Sequence, residues 1–570
     1  MNTPMNSLSP SVSGTVTSYS VNPSLPPGLN LNATTGVISG TPTEPVAQTN
    51  YTITARNASG TSTFVLSLRV FTLAVQTDNI VRLAANGVSI NPGVIVRPIN
   101  IDVGILTARA VDTAGFILPE VQVIAGDDGR YTLLLTSNPS VSPGSFSGAV
   151  TLNLCRDTAC TTPLEEPSVS VPFEVRVLGS NSEWPGDHTT TLTAWEGVSD
   201  WAMFQGNASH TGFVPATVDP DAVTPRWRSA GYQVPSTWTP YRANLATADG
   251  LFYAVTSNYM DGGVLYAKRE HDGSEVWRRA FADPANPPAV KNGAVYLATG
   301  HQEYTQMFGL AANDGSVLFS APMTSQWETY FAPTIGPNGM VYANGGTYGG
   351  MYAFNPAGNQ LFFVYQAQVS NWSPAVDANY AYSYTGGVLR VHDVLTGSLA
   401  REIVDPMYME HVGEHLGSPV LGSDGSITVA HYSRAVLASS TGNSLINFRV
   451  SDGTIAWRST GAYPTTPGYR AGVVYATNNM PFRLEARAES DGDLLWEWSP
   501  STAVGDTAFV SEVIVTNNLA FVSTDRATYA VDLETHRPVF SYPAAGKLAL
   551  SANGVLYIQN ADFLTALNLK

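Results

Sequence analysis

The hydrophobic positions of this chain fall in short runs. Segments of roughly four to eight residues rich in Val, Ile, Thr, Tyr and Phe are separated by Gly, Pro, Asn and Asp, and helical periodicity is nearly absent. The pattern predicts an all-β protein. In the first 71 residues, Thr49–Ala55 and Thr63–Val70 read as strands joined by the turn Asn57-Ala58-Ser59-Gly60. Between residues 72 and 179, strands are predicted at Leu73–Gln76, Tyr131–Thr136, Ser147–Asn153 and Val171–Val177. Residues 180–190, within a stretch rich in Gly, Ser, Asn, Pro and Asp, read as a linker.

From residue 191 to residue 570 the pattern repeats. Each unit is a short apolar strand, an Asp-Gly or similar turn, and a strand ending in an aromatic residue. Val264-Leu265-Tyr266-Ala267, Asp272-Gly273 and Trp277 form one; Leu484-Glu485-Ala486, Asp491-Gly492 and Trp496 form another. The turn glycines at 273, 315, 358, 397, 453 and 492 are spaced 42, 43, 39, 56 and 39 residues apart. That is the period of four-stranded propeller blades, roughly 40 to 50 residues. Seven units are complete. The C-terminus supplies three more strands and then stops, and Thr224-Pro225-Arg226-Trp227-Arg228 is available as the missing outer strand. The expectation is an eight-bladed β-propeller closed by its N- and C-terminal strands, which hides sheet edges.

Two resemblances sharpen this reading. Leu25-Pro26-Pro27-Gly28-Leu29-Asn30-Leu31 followed by Thr35-Gly36-Val37-Ile38-Ser39-Gly40-Thr41-Pro42 closely resembles the signature of the putative-Ig family of bacterial surface proteins. That implies a small β-sandwich spacer over residues 1–71. Residues 72–179 look like a second Ig-like sandwich. The family's first strand normally begins upstream of where Met1 falls, so the natural protein is expected to be longer. The repeats, with the lead-in Trp201-Ala202-Met203-Phe204-Gln205-Gly206 to His210-Thr211-Gly212-Phe213, resemble the PQQ-like propeller family. That family includes quinoprotein dehydrogenases, an outer-membrane assembly lipoprotein and cofactor-free scaffolds, so the resemblance specifies fold more than function.

Charge and cysteine content narrow the function classes. The chain has 570 residues, with 28 Lys and Arg against 45 Asp and Glu, a net charge of −17. An acidic chain with no basic run excludes phosphate-backbone binding, so nucleic acid is not a partner. No apolar window is long enough for a transmembrane helix, and the first residues lack a signal-peptide pattern. The two cysteines, Cys155 and Cys160, suit a disulfide closing a short hairpin; free thiols and a metal site are the weaker readings. A disulfide implies an oxidising compartment, so a secreted, periplasmic or cell-surface protein is expected, its signal segment absent from this chain.

The candidate chemistry lies in the loops of the propeller. In the larger quinoprotein alcohol dehydrogenases, adjacent cysteines flank the quinone, and Glu, Asn and Asp hold calcium. Here both cysteines precede the propeller, and the Asp-Gly pairs are explained by turn geometry. Pyrroloquinoline quinone with calcium is not the expected cofactor, and no cofactor or metal is assigned. The loops entering the inner strands are aromatic: Trp238, Tyr241, Trp327, Tyr330, Trp372, Tyr463 and Tyr469 are candidate ligand-binding residues. Tyr259, His301, Tyr304, Tyr348 and Tyr384 occupy the second set of loops on that face. Aromatic faces with polar edges suit sugars or peptides; packing between blades is the competing reading. One blade is longer than its neighbours, and His411, Glu414, His415, His431 and Tyr432 lie there. They are the candidate catalytic set, able to abstract a proton as in polysaccharide lyases or to hold a divalent metal; solvated loop polarity is the alternative. The leading expectation is a binding and scaffolding protein for a glycan or an extracellular or periplasmic protein. A polysaccharide-acting enzyme comes second and a quinone-dependent dehydrogenase third.

Overall fold

The computed structural model describes residues 3–76, 79–126, 128–180, 182–230, 244–258, 262–300, 305–324, 332–367, 372–408, 415–423, 425–433, 443–500 and 505–570. They form β-strands throughout, with two short 3₁₀ turns and no α-helix among them. The chain divides into two compact units. The first comprises Met1–Ile80, Asn91–Val141 and Ser145–Val175; the second comprises Val81–Ile90, Ser142–Gly144 and Arg176–Lys570.

In the first unit, Ser18–Asn22, Val46–Asn57 and Gly60–Val70 form an antiparallel sheet. The expected turn at Asn57–Gly60 is present, and the Asn57 side chain accepts the N–H of Ser59 at 2.8 Å. Thr72–Gln76, Gly93–Ile99, Tyr131–Leu134 and Gln122–Ala125 make a second sheet. Gly144–Cys155 pairs with Thr107–Val111. Val94, Val96, Leu133, Leu152 and Val171 are fully buried. The Cys155–Cys160 disulfide spans the turn between Gly144–Cys155 and Pro163–Leu178, as the spacing predicts.

The second unit is a propeller. Blades 1 to 7 run from inner to outer strand as Ala246–Ala248 to Glu275–Phe281, Ala289–Lys291 to Val317–Pro322, Thr334–Ile335 to Gln360–Val364, Ala375–Val376 to Leu399–Val404, Val420–Leu421 to Thr454–Thr460, Gly468–Arg470 to Leu494–Trp498, and Ile514–Val515 to Pro538–Tyr542. A further sheet, blade 8, combines Lys547–Leu550, Val555–Gln559 and Phe563–Asn568 with the distant Thr224–Ala230. Thr224 pairs with Asn568 and Ala230 with Phe563, the closure expected from sequence. Residues 188–190 are held along this closing sheet: the His188 N–H donates to Arg226 O at 2.9 Å, and the Arg226 guanidinium donates to Thr190 O at 2.8 Å.

The repeat signature has a packing cause. In blades 1, 2, 3, 5 and 8 the aromatic residue of the outer strand lies over the turn glycine of the next blade. Trp277 covers Gly315, where an added Cβ would sit 2.6 Å from the indole, and its Nε1–H donates to Ala312 O at 2.9 Å. Trp227 does the same over Gly273 with Glu270 O, and Trp457 over Gly492 with Glu489 O. In blade 4 the aromatic is replaced by Arg401, whose guanidinium covers Gly453. In blade 7 the glycine is replaced by His536, at φ 58°, which stacks on Trp496 at 4.7 Å. Trp277→Phe keeps the ring but leaves the buried Ala312 carbonyl without this donor. It should cost about 1–2 kcal/mol in urea unfolding followed by fluorescence.

Candidate functional site

The lead-in motif builds one end of the central channel. Its backbone crosses from blade to blade at the ends of the inner strands. Thr247 of blade 1 donates its N–H to Trp201 O at 2.8 Å, and Val290 of blade 2 donates to Ala202 O at 2.7 Å. Val376 of blade 4 bonds Ala208 O, Leu421 of blade 5 bonds Ser209 O, Tyr469 of blade 6 bonds Thr211 O, and Val515 of blade 7 bonds Gly212 O, all at 2.7–2.9 Å. Each of these donors lies immediately before the short turn into the second strand of its blade. The strap therefore occupies the face that carries those turns. Gly212 has φ 60°, and a side chain there would collide with Val513 O, so the motif requires glycine.

Blade 3 is tied to the strap by a side chain. His210 is fully buried, its Nδ1 lies 3.0 Å from Pro419 O of blade 5, and its Nε2 lies 3.1 Å from Thr334 Oγ1 of blade 3. The carbonyl can only accept, so Nδ1 carries the proton and Nε2 accepts from Thr334. Ser373 of blade 4 extends the chain, 3.0 Å from Thr334 Oγ1 and 3.0 Å from Ala332 O. Burial lowers the His210 pKa to about 4, the Pro419 carbonyl opposing weakly. His210 is neutral and structural.

The opposite face carries the connections between blades, and several buried charged groups stand near it. Lys547, opening the inner strand of blade 8, donates to Glu512 Oε1 at 2.8 Å, just before the inner strand of blade 7; both are nearly inaccessible. At blades 4 and 5, Asp405 accepts the guanidinium of Arg458 and, at 3.0 Å, the hydroxyl of Tyr384. Burial and the neighbouring Asp405 push the Tyr384 pKa far up, so it stays a neutral donor. In blade 6, Glu485 accepts from Asn478, Arg483, Arg487 and Tyr463 at 2.7–3.0 Å. Burial alone would raise its pKa; these donors hold it below the ordinary value.

The expected ligand-binding aromatics divide. Trp238, Tyr241, Trp327 and Tyr330 lie outside the described residues. Trp372 offers no open face: it is buried among Tyr342, Met351, Phe362 and Val376. Tyr463 is also fully buried, its hydroxyl donating to Glu485. Tyr469 is partly buried and donates to Glu489 Oε2 at 2.8 Å, beside Ser423 in a turn on the strap face. Trp372, three residues before the inner strand of blade 4, and Tyr463, five before that of blade 6, are drawn between blades because the neighbouring sheet supplies apolar contacts there. Tyr348 is exposed, and Tyr365, which the sequence reading did not single out, is 84% exposed at the end of the outer strand of the same blade. Tyr384, expected in the second loop set, is buried. Tyr259, His301 and Tyr304 lie outside the described residues.

Among the candidate catalytic residues, His411 and Glu414 lie outside the described residues. The backbones of the others are brought together: His415–Leu416 pairs with Ser426–Ser433, placing His415 opposite Ser433 and Leu416 opposite Tyr432, with His431 two positions along. Among the described residues, no group of three His, Cys, Asp or Glu is placed to hold a metal ion, and both cysteines lie in the first unit. No helix among the described residues is long and apolar enough to cross a membrane.

The repeat, the docked aromatics and the strap define a β-propeller of PQQ-like repeats. A family model described as outer membrane protein assembly factor BamB matches residues 211–496, half of the chain, and the chain belongs to that family. A model described as putative Ig domain matches residues 2–71. Among solved structures, BamB from Moraxella catarrhalis is similar at 14% identity and a TM-score of 0.46, covering 61% of this chain and 98% of that one. Sqt1 of Saccharomyces cerevisiae has 8% identity and a TM-score of 0.43, covering 60% and 98%. A streptogramin B lyase has 12% identity and a TM-score of 0.35, covering 60% and 97%. No curated protein sequence matches the chain at a significant level.

Proposed function

We propose that this chain is a secreted or cell-surface binding and scaffolding protein. Ig-like sandwiches act as spacers, and the propeller receives a glycan or protein partner on the face opposite the strap. The observation that carries this reading is the strap itself. It commits one end of the channel to structure, leaving the other face, with its longer connections and exposed Tyr348 and Tyr365, for a ligand. The disulfide suits an oxidising compartment outside the cytoplasm. The family model's description as an assembly factor favours a protein partner. The test is binding of the full chain to immobilised bacterial surface glycans and to purified surface-exposed or periplasmic proteins. Saturable binding should weaken at least about tenfold in Tyr348→Ser/Tyr365→Ser and in Trp238→Ala/Trp327→Ala. Binding that persists undiminished in both double variants would overturn the assignment of the face.

The register of His415 against the strand holding His431 and Tyr432 favours one second reading, a polysaccharide-acting enzyme. It requires turnover of an acidic glycan that is lost in His415→Ala or His431→Ala. An absence of turnover across a broad glycan panel would remove it.

A further inference from the structure

The outer strand of blade 7 differs from its counterparts in being covered. All five residues of Pro538–Tyr542 are buried, whereas the outer strands of blades 1, 2, 3, 4 and 6 expose their first residues. The cover includes the chain's own segment Val81–Ile90, with Leu178 in the same cluster. Leu83 packs in one cluster with Val539 and Tyr542, and the Ala85 N–H donates to Ser541 Oγ at 2.9 Å. The dock thus consists of an aliphatic residue and, two positions on, a serine hydroxyl. Its guest consists of an aliphatic residue and, two positions on, a backbone N–H among small residues, Leu83-Ala84-Ala85.

Blade 2 carries the same dock without a cover. Aligned on the turn residues His536 and Gly315, Pro538-Val539-Phe540-Ser541 corresponds to Val317-Leu318-Phe319-Ser320. Leu318 takes the place of Val539, and Ser320 takes the place of Ser541. Val539 is 6% exposed, but Leu318 is 56% and Val317 42%, and Ser320 is exposed as well. No other described outer strand has both features. Blade 6, with Leu495 exposed, has Glu497 at the serine position, and blade 1 has Arg278 there.

We propose that Val317–Pro322 is a docking edge for an extended strand of a partner protein, with the chemistry of Leu83-Ala84-Ala85: an aliphatic side chain against Leu318 and Phe319, and a backbone N–H given to Ser320. This surface lies on the rim of the propeller and is independent of the ligand face proposed above. The aliphatic contact supplies affinity through buried apolar area, and the hydroxyl sets the register of the guest.

The test uses the full chain and a fluorescent peptide of the sequence Val81–Ile90, titrated by anisotropy. Saturable binding tighter than about 1 mM is expected. It should weaken at least about tenfold in Leu318→Asp and several-fold in Ser320→Ala, and remain unchanged in Leu495→Asp on blade 6. A peptide with Leu83→Asp should not bind. Three results would overturn the proposal: no saturation up to about 1 mM, binding insensitive to Leu318→Asp, or self-association of the chain in sedimentation that Leu318→Asp abolishes. The last would make a second copy the occupant.

Discussion

His210→Ala will destabilise the propeller by about 3–5 kcal/mol, the largest loss expected from any single substitution considered for this protein. The side chain is wholly buried and makes two hydrogen bonds to different blades, Pro419 O on blade 5 and Thr334 Oγ1 on blade 3. Alanine removes both hydrogen bonds at once, leaves the Pro419 carbonyl without the imidazole donor while Thr334 Oγ1 keeps Ser373 at 3.0 Å, and opens a space lined by Phe204, whose ring meets the imidazole edge-on at 5.2 Å. The orphaned carbonyl costs roughly 1–3 kcal/mol in a site that water does not reach, and the lost imidazole volume adds a cavity cost of similar size. The loss also spreads, because His210 holds the strap in a left-handed turn at φ 57° between the contacts to blades 5 and 6. Urea unfolding should show the lower midpoint, and hydrogen exchange should show faster opening of the Thr247, Val290, Val376, Leu421, Tyr469 and Val515 amides, the donors to the strap. A loss below about 1 kcal/mol, with those amides still protected, would mean that the strap is held by its backbone bonds alone.

How far the sequence reveals these features depends on whether their cause is local. The turn glycines and the aromatic four residues later were legible because both partners of each contact recur at a fixed spacing, as with Gly273, Trp277 and Gly315. Arg401 was not, because a guanidinium covering Gly453 breaks the aromatic pattern while keeping the geometry. The closure of the ring was legible from a surplus of strands at one terminus and a spare strand near residue 224. The strap was recognisable as a motif but not as a crossing of the channel. Nothing in its spacing shows that successive carbonyls meet successive blades, and the left-handed residues Gln205 and His210 are not glycines.

The aromatic loop residues show where the pattern stops being informative. Trp372 and Tyr463 sit beside inner strands just as an open ligand platform would require, and only the neighbouring blade decides that they are buried. Asp405 with Arg458, and Glu512 with Lys547, join residues 53 and 35 positions apart, so no local spacing announces either pair. These pairs link adjacent blades near the face proposed for ligand binding, and that linkage accounts for the buried charge in a chain otherwise poor in charged residues.

Glu270→Gln will make the protein lose stability on mild acidification, by about 2 kcal/mol more than the parent chain between pH 6.5 and pH 4.5. Two buried groups titrate across that interval with opposite signs. His210 falls from 6.5 to about 4, mainly through burial, so below pH 6.5 the unfolded chain takes up a proton that the folded chain refuses, and stability falls as pH falls. Glu270 rises from 4.5 to about 7, again mainly through burial, so the folded chain keeps its proton above pH 4.5 while the unfolded chain releases it, and stability falls as pH rises. Each slope reaches at most about 1.4 kcal/mol per pH unit midway between the two pKa values, and the two offset each other across the shared window. Glu270 stands where the ring closes: its backbone carbonyl accepts from Arg226 and Trp227, and its side chain approaches Asn553 of blade 8 at 3.5 Å. Glutamine preserves that shape and removes only the titration, exposing the His210 slope. His210→Gln should give the mirror result, a stability that declines as pH rises from 4.5 to 7, superimposed on its constant loss. Urea unfolding of the parent and both variants at pH 4.5, 5.5 and 6.5 measures the slopes. Parallel curves for Glu270→Gln and the parent would show that Glu270 is ionised in the folded protein, and that the contact closing the ring encloses a charge rather than a neutral acid.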